Sequence, residues 1–244
     1  MLWSSGTSSN DDGAPCGWEL NGRDVFMCLN ISNDTLQPSS ERIIWKWRIM
    51  PTVWFIADLH FDHLLVARKR GFDTSEQHDQ HLIRTINKRV RETDLLYILG
   101  DVAPGPSAFP RVALSLSRLN GSKHLFVGNH DSHPAHGRPN ARRFAQMTDI
   151  FDTIQERGSV KYEGQTAFIS HFPYDGDGPH SDGERYTEWR FKDLGRPLIH
   201  GHTHSTERIS WSRMSTPQVC VSWEAWENVV PIHEVFQQLS SERR

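Results

Sequence analysis

The sequence has few cysteines, no long apolar run and no dominant sign of charge. Its 244 residues contain three cysteines, Cys16, Cys28 and Cys220, which are odd in number and widely separated. This pattern favours neither a disulfide framework nor a cysteine-ligated zinc site. The longest apolar runs, such as residues 95–99, fall far short of the ~20 residues that cross a bilayer. We therefore expect no membrane partner.

Charge and the N-terminal sequence exclude further classes of protein. With 27 basic and 30 acidic side chains, the formal net charge is −3. The chain thus has no overall basic field for gripping nucleic acid, although local patches remain open. The N-terminus lacks the basic region and the apolar stretch of a secretory signal. A cytoplasmic location is the resulting expectation.

Residues 1–49 differ in composition from the rest of the chain. Ser, Asn, Asp and Gly dominate residues 4–13, and no stretch of this extension sustains a helical or strand period. Such a composition buries too little apolar surface to offset chain entropy, which predicts a disordered or loosely packed segment. The alternative is that its aromatic residues dock on the main domain. That domain is predicted over residues 50–237, followed by a polar tail at 238–244.

From residue 50 onward, short apolar runs alternate with helical patterns. Five runs are typical of buried strands: 53–57, 95–99, 124–127, 166–169 and 197–199. Apolar residues recur at helical spacing within 82–90 and within 109–119, between the first three runs. This alternation predicts an α/β fold. After Glu207 the short runs are rich in β-formers, which predicts that they complete or pair a second sheet.

Histidine is unusually frequent, with fourteen residues, and the positions of several of them indicate a functional site. Each of the five predicted strands is followed at once by potential metal ligands. In chain order these are Asp58, His60, Asp101, Asn129, His130, Asp131, His171, His202 and His204. Functional groups of an open α/β sheet converge beyond the carboxyl ends of its strands, so all five groups are expected to face one pocket.

The residue types indicate what this pocket holds. Seven of these nine residues, two aspartates, one asparagine and four histidines, give a mixed oxygen and imidazole set, which suits Mn²⁺, Fe, Zn²⁺ or Ni²⁺, whereas Ca²⁺ prefers oxygens alone. Seven ligands are too many for one ion that keeps an open position. They suit two divalent ions that share a carboxylate, roughly 3.5–4 Å apart. Mn²⁺ is the expected ion, with the other three as alternatives.

The five blocks, Asp58-Leu59-His60, Gly100-Asp101, Gly128-Asn129-His130-Asp131, His171 and Gly201-His202-Thr203-His204, resemble the signature of the calcineurin-like metallophosphoesterase superfamily. The compact spacing is most similar to that of the small bacterial and phage phosphoesterases. The resemblance covers about residues 51–232. It implies a two-sheet β-sandwich flanked by helices, in four α/β/β/α layers, and makes residues 50–237 the catalytic domain.

The resemblance also implies roles for single residues. Asp58, His60 and His204 would hold the first metal, Asn129, His171 and His202 the second, and Asp101 would bridge both. His130 matches the catalytic histidine of the superfamily, and Asp131 matches its orienting partner. Asp62 stands where many of the small phosphoesterases carry glycine, which adds a carboxylate near the expected pocket mouth.

The implied activity is hydrolysis of phosphomonoesters or phosphodiesters. Two ions bridged by Asp101 would lower the pKa of a water, and the resulting hydroxide would attack phosphorus in line. His130 would stabilise the charge or protonate the leaving oxygen, and the sequence leaves both roles open. The alternative is a non-enzymatic scaffold of the same fold, which binds proteins. The presence of His130 and Asp101 argues against that alternative.

Substrate identity stays open at the level of sequence. A nucleotide or another small phosphoester is favoured, and nucleic acid is an alternative. Arginine forks suit a second phosphate or a nucleotide backbone, but such residues are equally typical of solvated loops. The candidates are Arg138, Arg142, Arg143, Arg185, Tyr186 and Arg190. The histidines outside the motifs are predicted to be surface or packing residues, with His63 and His133 close enough in sequence to touch substrate.

Overall fold

A computed structural model describes residues 18–20, 23–25, 50–131, 141–178 and 184–240, with the side chains of 18–20, 23–25 and 141–143 left out. The chain divides into two units, residues 1–48 and residues 49–244. In the first unit, β1 (Trp18–Leu20) pairs antiparallel with β2 (Arg23–Val25). The rest of the predicted extension lies outside the described residues. The predicted limits of the extension therefore stay a prediction.

The first sheet of the main unit contains five strands. They are β3 (Val53–Ile56), β4 (Leu95–Ile98), β5 (Ser122–Phe126), β6 (Thr153–Gln155) and β12 (Val230–Pro231). Their order is β12-β3-β4-β5-β6, and only β12 runs antiparallel to its neighbour. Because β3, β4 and β5 are parallel, their carboxyl ends meet at one edge of the sheet.

The second sheet also has five strands. They are β7 (Arg157–Tyr162), β8 (Gln165–Ser170), β9 (Leu198–His200), β10 (Ile209–Trp211) and β11 (Pro217–Cys220). Their order is β10-β11-β9-β8-β7, with a parallel centre of β8, β9 and β11 and antiparallel edges. A parallel bridge between Ala57 and Ser222 connects the chain beyond β3 to the chain beyond β11.

Six helices accompany the sheets in the described residues. They are α1 (Leu64–Lys69), α2 (Ser75–Arg89), α3 (Phe109–Ser117), α4 (Ala141–Thr148), α5 (Trp223–Trp226) and α6 (Ile232–Leu239). Helix α2 begins where the sequence offers a cap, since Thr74 Oγ1 accepts a hydrogen bond from Gln77 N. Within the described part of the chain, no helix is long and apolar enough to span a membrane.

The two faces of the first sheet are buried in two different cores. On one face, Ile56 and Ile98 pack with Leu82, Ile86 and Leu116 of α2 and α3. On the other face, Phe55, Leu99 and Phe126 pack against Ile169, Ile199 and Val219 of the second sheet. The predicted α/β fold with two packed sheets flanked by helices is confirmed.

The chain end differs from the predicted polar tail. Helix α6 runs through Leu239, two residues into the segment predicted as a tail. Leu239 is buried, because it packs in the core between the sheets with Val235 and Phe236. The i, i+3, i+4 spacing of these three residues is the apolar face of a helix. Residues 241–244 lie outside the described part.

Candidate metal centre

The carboxyl ends of strands from both sheets bring the predicted ligands together. Two sets of side chains place their ligand atoms within 4.8 Å of one another. The first set is Asp58, His60 and His204, and the second is Asp101, His171 and His202. The first sheet supplies the aspartates and His60, and the second sheet supplies the other three histidines. The centre thus lies where the two sheets meet.

The backbone at the centre adopts a conformation that L residues rarely take. Five of the seven predicted ligands have a positive φ: Asp58 at 56°, His60 at 47°, Asp101 at 54°, His202 at 69° and His204 at 48°. Non-glycine residues stay in this region only where the surrounding structure imposes it, and such positions cluster at functional sites. The fold therefore holds these side chains inward at a cost in backbone strain.

Two glycines of the motifs permit this close approach. A Cβ on Gly128 would lie 2.2 Å from Asp101 Oδ1, which is far inside contact distance. Gly100 has φ +82°, and a Cβ there would lie 2.5 Å from His171 Nδ1. Each glycine directly precedes a predicted ligand in sequence and packs against another. Glycine is therefore required at both positions for the ligands to converge.

The first set converges on a point that suits a cation. His60 Nε2 lies 3.2 Å from His204 Nε2, which in turn lies 3.7 Å from Asp58 Oδ1. Asp58 Oδ2 accepts hydrogen bonds from Ser222 Oγ at 2.6 Å and His202 N at 3.0 Å. Asp58 Oδ1 is buried and has no hydrogen-bond partner among the described residues. An orphaned carboxylate oxygen beside two imidazole nitrogens fits a metal ligand.

The second set is arranged around His171 Nε2. This atom lies 3.2 Å from His202 Nδ1, 3.2 Å from Asn129 Oδ1 and 3.5 Å from Asp101 Oδ2. His171 Nδ1 donates a hydrogen bond to Leu99 O at 2.7 Å, which leaves Nε2 as the ligand atom. Asn129 therefore lies beside the second set, within reach of the same point.

Asp101 lies between the two sets. Its Oδ2 is 3.9 Å from His60 Nε2 of the first set and 3.5 Å from His171 Nε2 of the second. Burial raises the pKa of Asp101, but attraction to His171, His60 and His130 outweighs burial and lowers the pKa to about 2. The carboxylate is therefore ionised at neutral pH, as a shared metal ligand must be.

His130 lies at the rim of the centre. Its Nδ1 donates to Pro104 O at 2.8 Å, and its Nε2 lies 4.0 Å from Asp101 Oδ2. The side chain is 39% exposed, whereas that of Asp101 is 3% exposed. His130 can therefore meet a molecule that arrives from solvent, with its Nε2 facing the two sets.

Asp131 does not orient the His130 ring, which corrects the role predicted for it. Its carboxylate accepts hydrogen bonds from the backbone N–H groups of Asp101, Val102 and Gly128, at 2.8, 3.1 and 2.8 Å. Asp131 therefore fastens the loop after β4 to the loop after β5. The ring of His130 is held instead by a backbone carbonyl, which no side-chain pattern reveals.

Glu224 is a residue of the centre that sequence reasoning missed. Its Oε1 accepts hydrogen bonds from His204 Nδ1 at 3.0 Å and from Arg70 Nε at 2.9 Å. Burial raises the pKa of Glu224, but His204 and Arg70 outweigh burial and lower the pKa to about 2. Glu224 follows a short apolar run without any motif, so the sequence carries no signal for it.

Asp177 supports a histidine of the second set, as Glu224 supports His204 of the first. Its Oδ1 lies 3.1 Å from His202 Nε2, so His202 presents Nδ1 to the second set. Arg190 forms an ion pair with the same carboxylate and donates to Pro173 O and Gly176 O. Arg190 is buried and its guanidinium serves these partners, so it does not act as the phosphate fork that the sequence left open.

Two further sequence candidates, Asp62 and His63, have definite positions, and the side chains of four lie outside what the structure describes. Asp62 accepts from Arg111 Nε at 2.6 Å, so its added carboxylate is neutralised by an exposed arginine. The His63 ring lies 5.5 Å from the His60 ring, next to the first set. Arg138 and His133, and the side chains of Arg142 and Arg143, lie outside what the structure describes.

The donor set fits divalent transition ions. It consists of carboxylate and amide oxygens and imidazole nitrogens, the combination that suits Mn²⁺, Fe, Zn²⁺ or Ni²⁺. The one cysteine of the described residues, Cys220, is buried and hydrogen-bonds Ser222 Oγ at 3.1 Å. The described candidate ligands therefore include no thiolate.

Known proteins provide an independent comparison. The family model for calcineurin-like phosphoesterases matches residues 51–206. The gene 66 protein of Mycobacterium phage D29 is 38% identical over 198 residues, covering 78% of this chain and 97% of the phage protein. The gene 66 protein of Mycobacterium phage L5 is 32% identical over 196 residues, covering 77% of this chain and 93% of that phage protein.

A solved structure shares the fold. The Aquifex aeolicus protein of unknown function AQ665 superposes with a TM-score of 0.56 at 21% identity, covering 77% of this chain and 99% of that one. The family match spans more than half of the chain and includes every predicted ligand. With its motif blocks at the strand ends of two packed sheets, the chain belongs to the calcineurin-like phosphoesterase family.

Proposed function

We propose that this protein is a hydrolase that cleaves phosphomonoesters or phosphodiesters with two divalent ions held at the candidate metal centre. Family membership supports the class of reaction. The observation that carries the proposal is the position of Asp101, whose Oδ2 lies 3.9 Å from His60 Nε2 and 3.5 Å from His171 Nε2. A single carboxylate oxygen within reach of both ligand sets is the arrangement that a two-metal site requires.

Seven side chains would hold the ions, in two groups that share Asp101. The first group is Asp58, His60 and His204, and the second is Asn129, His171 and His202. Bound divalent ions would lower the pKa of a water to give a nucleophile at neutral pH, and would polarise the phosphoryl oxygens. We expect Mn²⁺ to support this chemistry. The orphaned Asp58 Oδ1 supports the assignment, because burial without a partner is costly for a carboxylate.

His130 is the proposed catalytic residue. Because its Nδ1 donates to Pro104 O, the ring can carry its second proton only on Nε2, the atom that faces the centre. A proton on this atom can pass to the leaving oxygen of the ester, or its charge can stabilise the phosphoryl oxygens. The partial exposure of the ring lets it reach a bound substrate.

The alternative is a scaffold that keeps the fold and binds proteins. The full set of seven ligands together with His130 argues for the enzyme. A panel of phosphomonoesters, phosphodiesters, cyclic nucleotides and single-stranded DNA, assayed with added Mn²⁺, decides between the two. We expect about two Mn²⁺ per chain and turnover of at least one ester class. Two bound ions with no turnover across the panel would favour the scaffold.

Two substitutions separate the proposed roles. His130→Ala should keep its metal but lower kcat by about 10²–10⁴, the range usual for loss of a general acid or a charge stabiliser. Asp101→Ala should lose metal as well as rate, because both ligand sets depend on that carboxylate. Metal analysis and hydrolysis of a chromogenic ester measure both effects.

The exposed His233 on α6 provides the matched control for these variants. His233→Ala should match the parent in metal content and in rate. If His130→Ala hydrolysed the ester as fast as His233→Ala, the catalytic assignment would be wrong.

A further inference from the structure

Residues 172–178 and 184–190, the described part of the segment after β8, are fixed to the second ligand set through Asp177. The Asp177 carboxylate lies 3.1 Å from His202 Nε2 and accepts from Arg185 N at 2.7 Å. It also pairs with Arg190, which donates to Pro173 O and Gly176 O. One buried carboxylate thus ties both ends of the described segment to a predicted metal ligand. The side chains that this segment carries are therefore placed relative to the centre.

Two aromatic rings of this segment stack beside the centre. The Tyr186 and Trp189 rings are nearly parallel, with an interplanar angle of 14° and centroids 5.3 Å apart. The Tyr186 ring lies 5.7 Å from the His202 ring, and Phe172 contacts both the His202 and the Tyr186 rings, at 5.0 and 5.4 Å. We call Tyr186 and Trp189 the aromatic platform.

The position of the platform is unusual for large aromatic residues. Both rings are only half-buried, and neither belongs to the two cores of the described residues. Tyr186 also has φ +57°, a conformation that costs energy for a non-glycine residue. The rings pack on each other and on Phe172, outside both cores and beside the centre, where a ligand can stack on them.

The chemistry of the platform selects one class of ligand. Aromatic side chains stack on nucleobases without strong sequence preference, because every base has a π face. The Arg185 guanidinium lies over the Tyr186 ring at 5.5 Å; its Nε pairs with Asp177 Oδ2 at 3.2 Å, and the side chain is 55% exposed. A stacking surface and a candidate metal centre side by side match the base and the phosphate of a nucleotide, with a largely exposed arginine at the platform edge.

We propose that the aromatic platform binds the nucleobase of a nucleotidyl phosphodiester whose phosphorus lies at the metal centre. This inference deepens the proposed function and rests on it, since the metal centre would supply the hydrolytic chemistry. It makes Tyr186 a specificity-determining residue that contacts the nucleoside part of the substrate and not the reacting atoms.

Two diesters with the same leaving group test this assignment. They are thymidine 5′-(p-nitrophenyl phosphate) and methyl p-nitrophenyl phosphate. The first carries a nucleoside on the phosphate where the second carries a methyl group. For the Mn²⁺-loaded parent, we expect the KM of the thymidine ester to be lower by about tenfold or more, the range that stacking supplies. Tyr186→Leu should raise the KM of the thymidine ester by about tenfold or more and so remove that advantage over the methyl ester.

Tyr186→Phe is the matched control, because it keeps the ring and loses only the hydroxyl. It should behave like the parent toward both esters. If Tyr186→Leu changed the KM of both esters by the same factor, or changed neither KM, the platform assignment would be wrong. The proposed hydrolysis of phosphoesters would still stand.

Calorimetric titration with thymidine 5′-monophosphate tests the platform without turnover. The parent and Tyr186→Phe should bind it about tenfold or more tightly than Tyr186→Leu, with equal thermal stability of the three proteins. Equal affinity in all three would contradict the inference. A parent that binds the nucleotide through Tyr186 but cleaves neither ester would instead contradict the proposed function and leave the platform standing.

Discussion

Four imidazoles at the metal centre are held by a hydrogen bond through the nitrogen that faces away from it. They are His130, His171, His202 and His204, bonded in turn to Pro104 O, Leu99 O, Asp177 and Glu224. Such a partner fixes the tautomer and the ring direction, and so decides which nitrogen presents a lone pair. A carboxylate partner adds basicity that a carbonyl does not. The two carboxylates therefore distinguish His202 and His204 from the others.

Glu224→Gln should weaken the first metal site. The change removes the negative charge beside His204 Nδ1 and the ion pair with Arg70, at 2.6 Å, while keeping the size of the side chain. Loss of such a supporting carboxylate costs about 10–100-fold in metal affinity. Calorimetric titration with Mn²⁺ should show one of two sites weakened by this factor. Glu76→Gln, at an exposed position of α2, is the control and should bind like the parent.

Asp94→Asn should destabilise the fold, and its effect should depend on pH. Asp94 is buried at the start of β4 and accepts hydrogen bonds from Thr52 N, Trp54 Nε1 and Arg91. Burial raises the pKa of Asp94, but these bonds outweigh burial and lower the pKa from 3.8 to about 2. A carboxyl group whose pKa is depressed on folding stabilises the protein above its unfolded pKa. That stabilisation is lost as the pH falls toward the folded pKa.

We expect Asp94→Asn to lower the free energy of unfolding by about 2 kcal/mol at pH 7. This difference should shrink as the pH falls from about 4 toward 2. Urea unfolding of parent and variant at pH 7, 4 and 3 measures the difference. The exposed Asp73, changed to Asn, should leave the free energy of unfolding within about 0.5 kcal/mol of the parent. A loss for Asp94→Asn that is the same at all three pH values would contradict the charge-based explanation.

Among the secondary-structure elements, the turns that leave the parallel strands decide the geometry of the site. The loop after β4 begins with Gly100 and carries Asp101, and the loop after β5 begins with Val127 and Gly128. Asp131 joins these two loops through three backbone hydrogen bonds. Because the loops touch through backbone and glycine, neither tolerates added volume at the contact.

Gly128→Ala should therefore disturb the centre. The new Cβ would lie 2.2 Å from Asp101 Oδ1 and 2.8 Å from Asp101 N, so the two loops must separate. We expect a loss of about 1–3 kcal/mol in the free energy of unfolding and a lower Mn²⁺ content. Gly105→Ala is the control, since nothing lies within 4 Å of its Cβ position. Equal metal content and equal stability in the two variants would show that the loops adjust freely.

At the scale of the whole molecule, every candidate ligand and every core residue in the described part of the chain lies beyond residue 50. The two cores begin at Val53 and Trp54, and the first ligand is Asp58. A chain that begins at Met50 should therefore keep the melting temperature and the turnover of the full chain. Thermal unfolding and ester hydrolysis of the two proteins measure this. A clear drop in either would show that the extension contributes to the domain, as in the alternative of docked aromatic residues.

The sequence by itself was enough to predict the fold class and the residues that converge at the candidate metal centre. Buried strands appear in the sequence as short apolar runs. Each predicted ligand follows its strand within a few residues, as Asp58 and His60 follow β3. Parallel strands bring their carboxyl ends to one edge, so order along the chain is enough to predict that these residues meet. The identity of the ligands is likewise a matter of residue type and short spacing.

Only the tertiary structure decided which groups hold those ligands in place. Glu224 reaches His204 from beyond β11, Asp177 reaches His202 from the segment after β8, and Asp131 bonds three backbone N–H groups and leaves His130 to Pro104 O. The same holds for the stacking of Tyr186 on Trp189 beside His202. These contacts depend on how the two sheets pack and how their loops are directed. Packing is a property of distant residues acting together, which no local pattern in the sequence encodes.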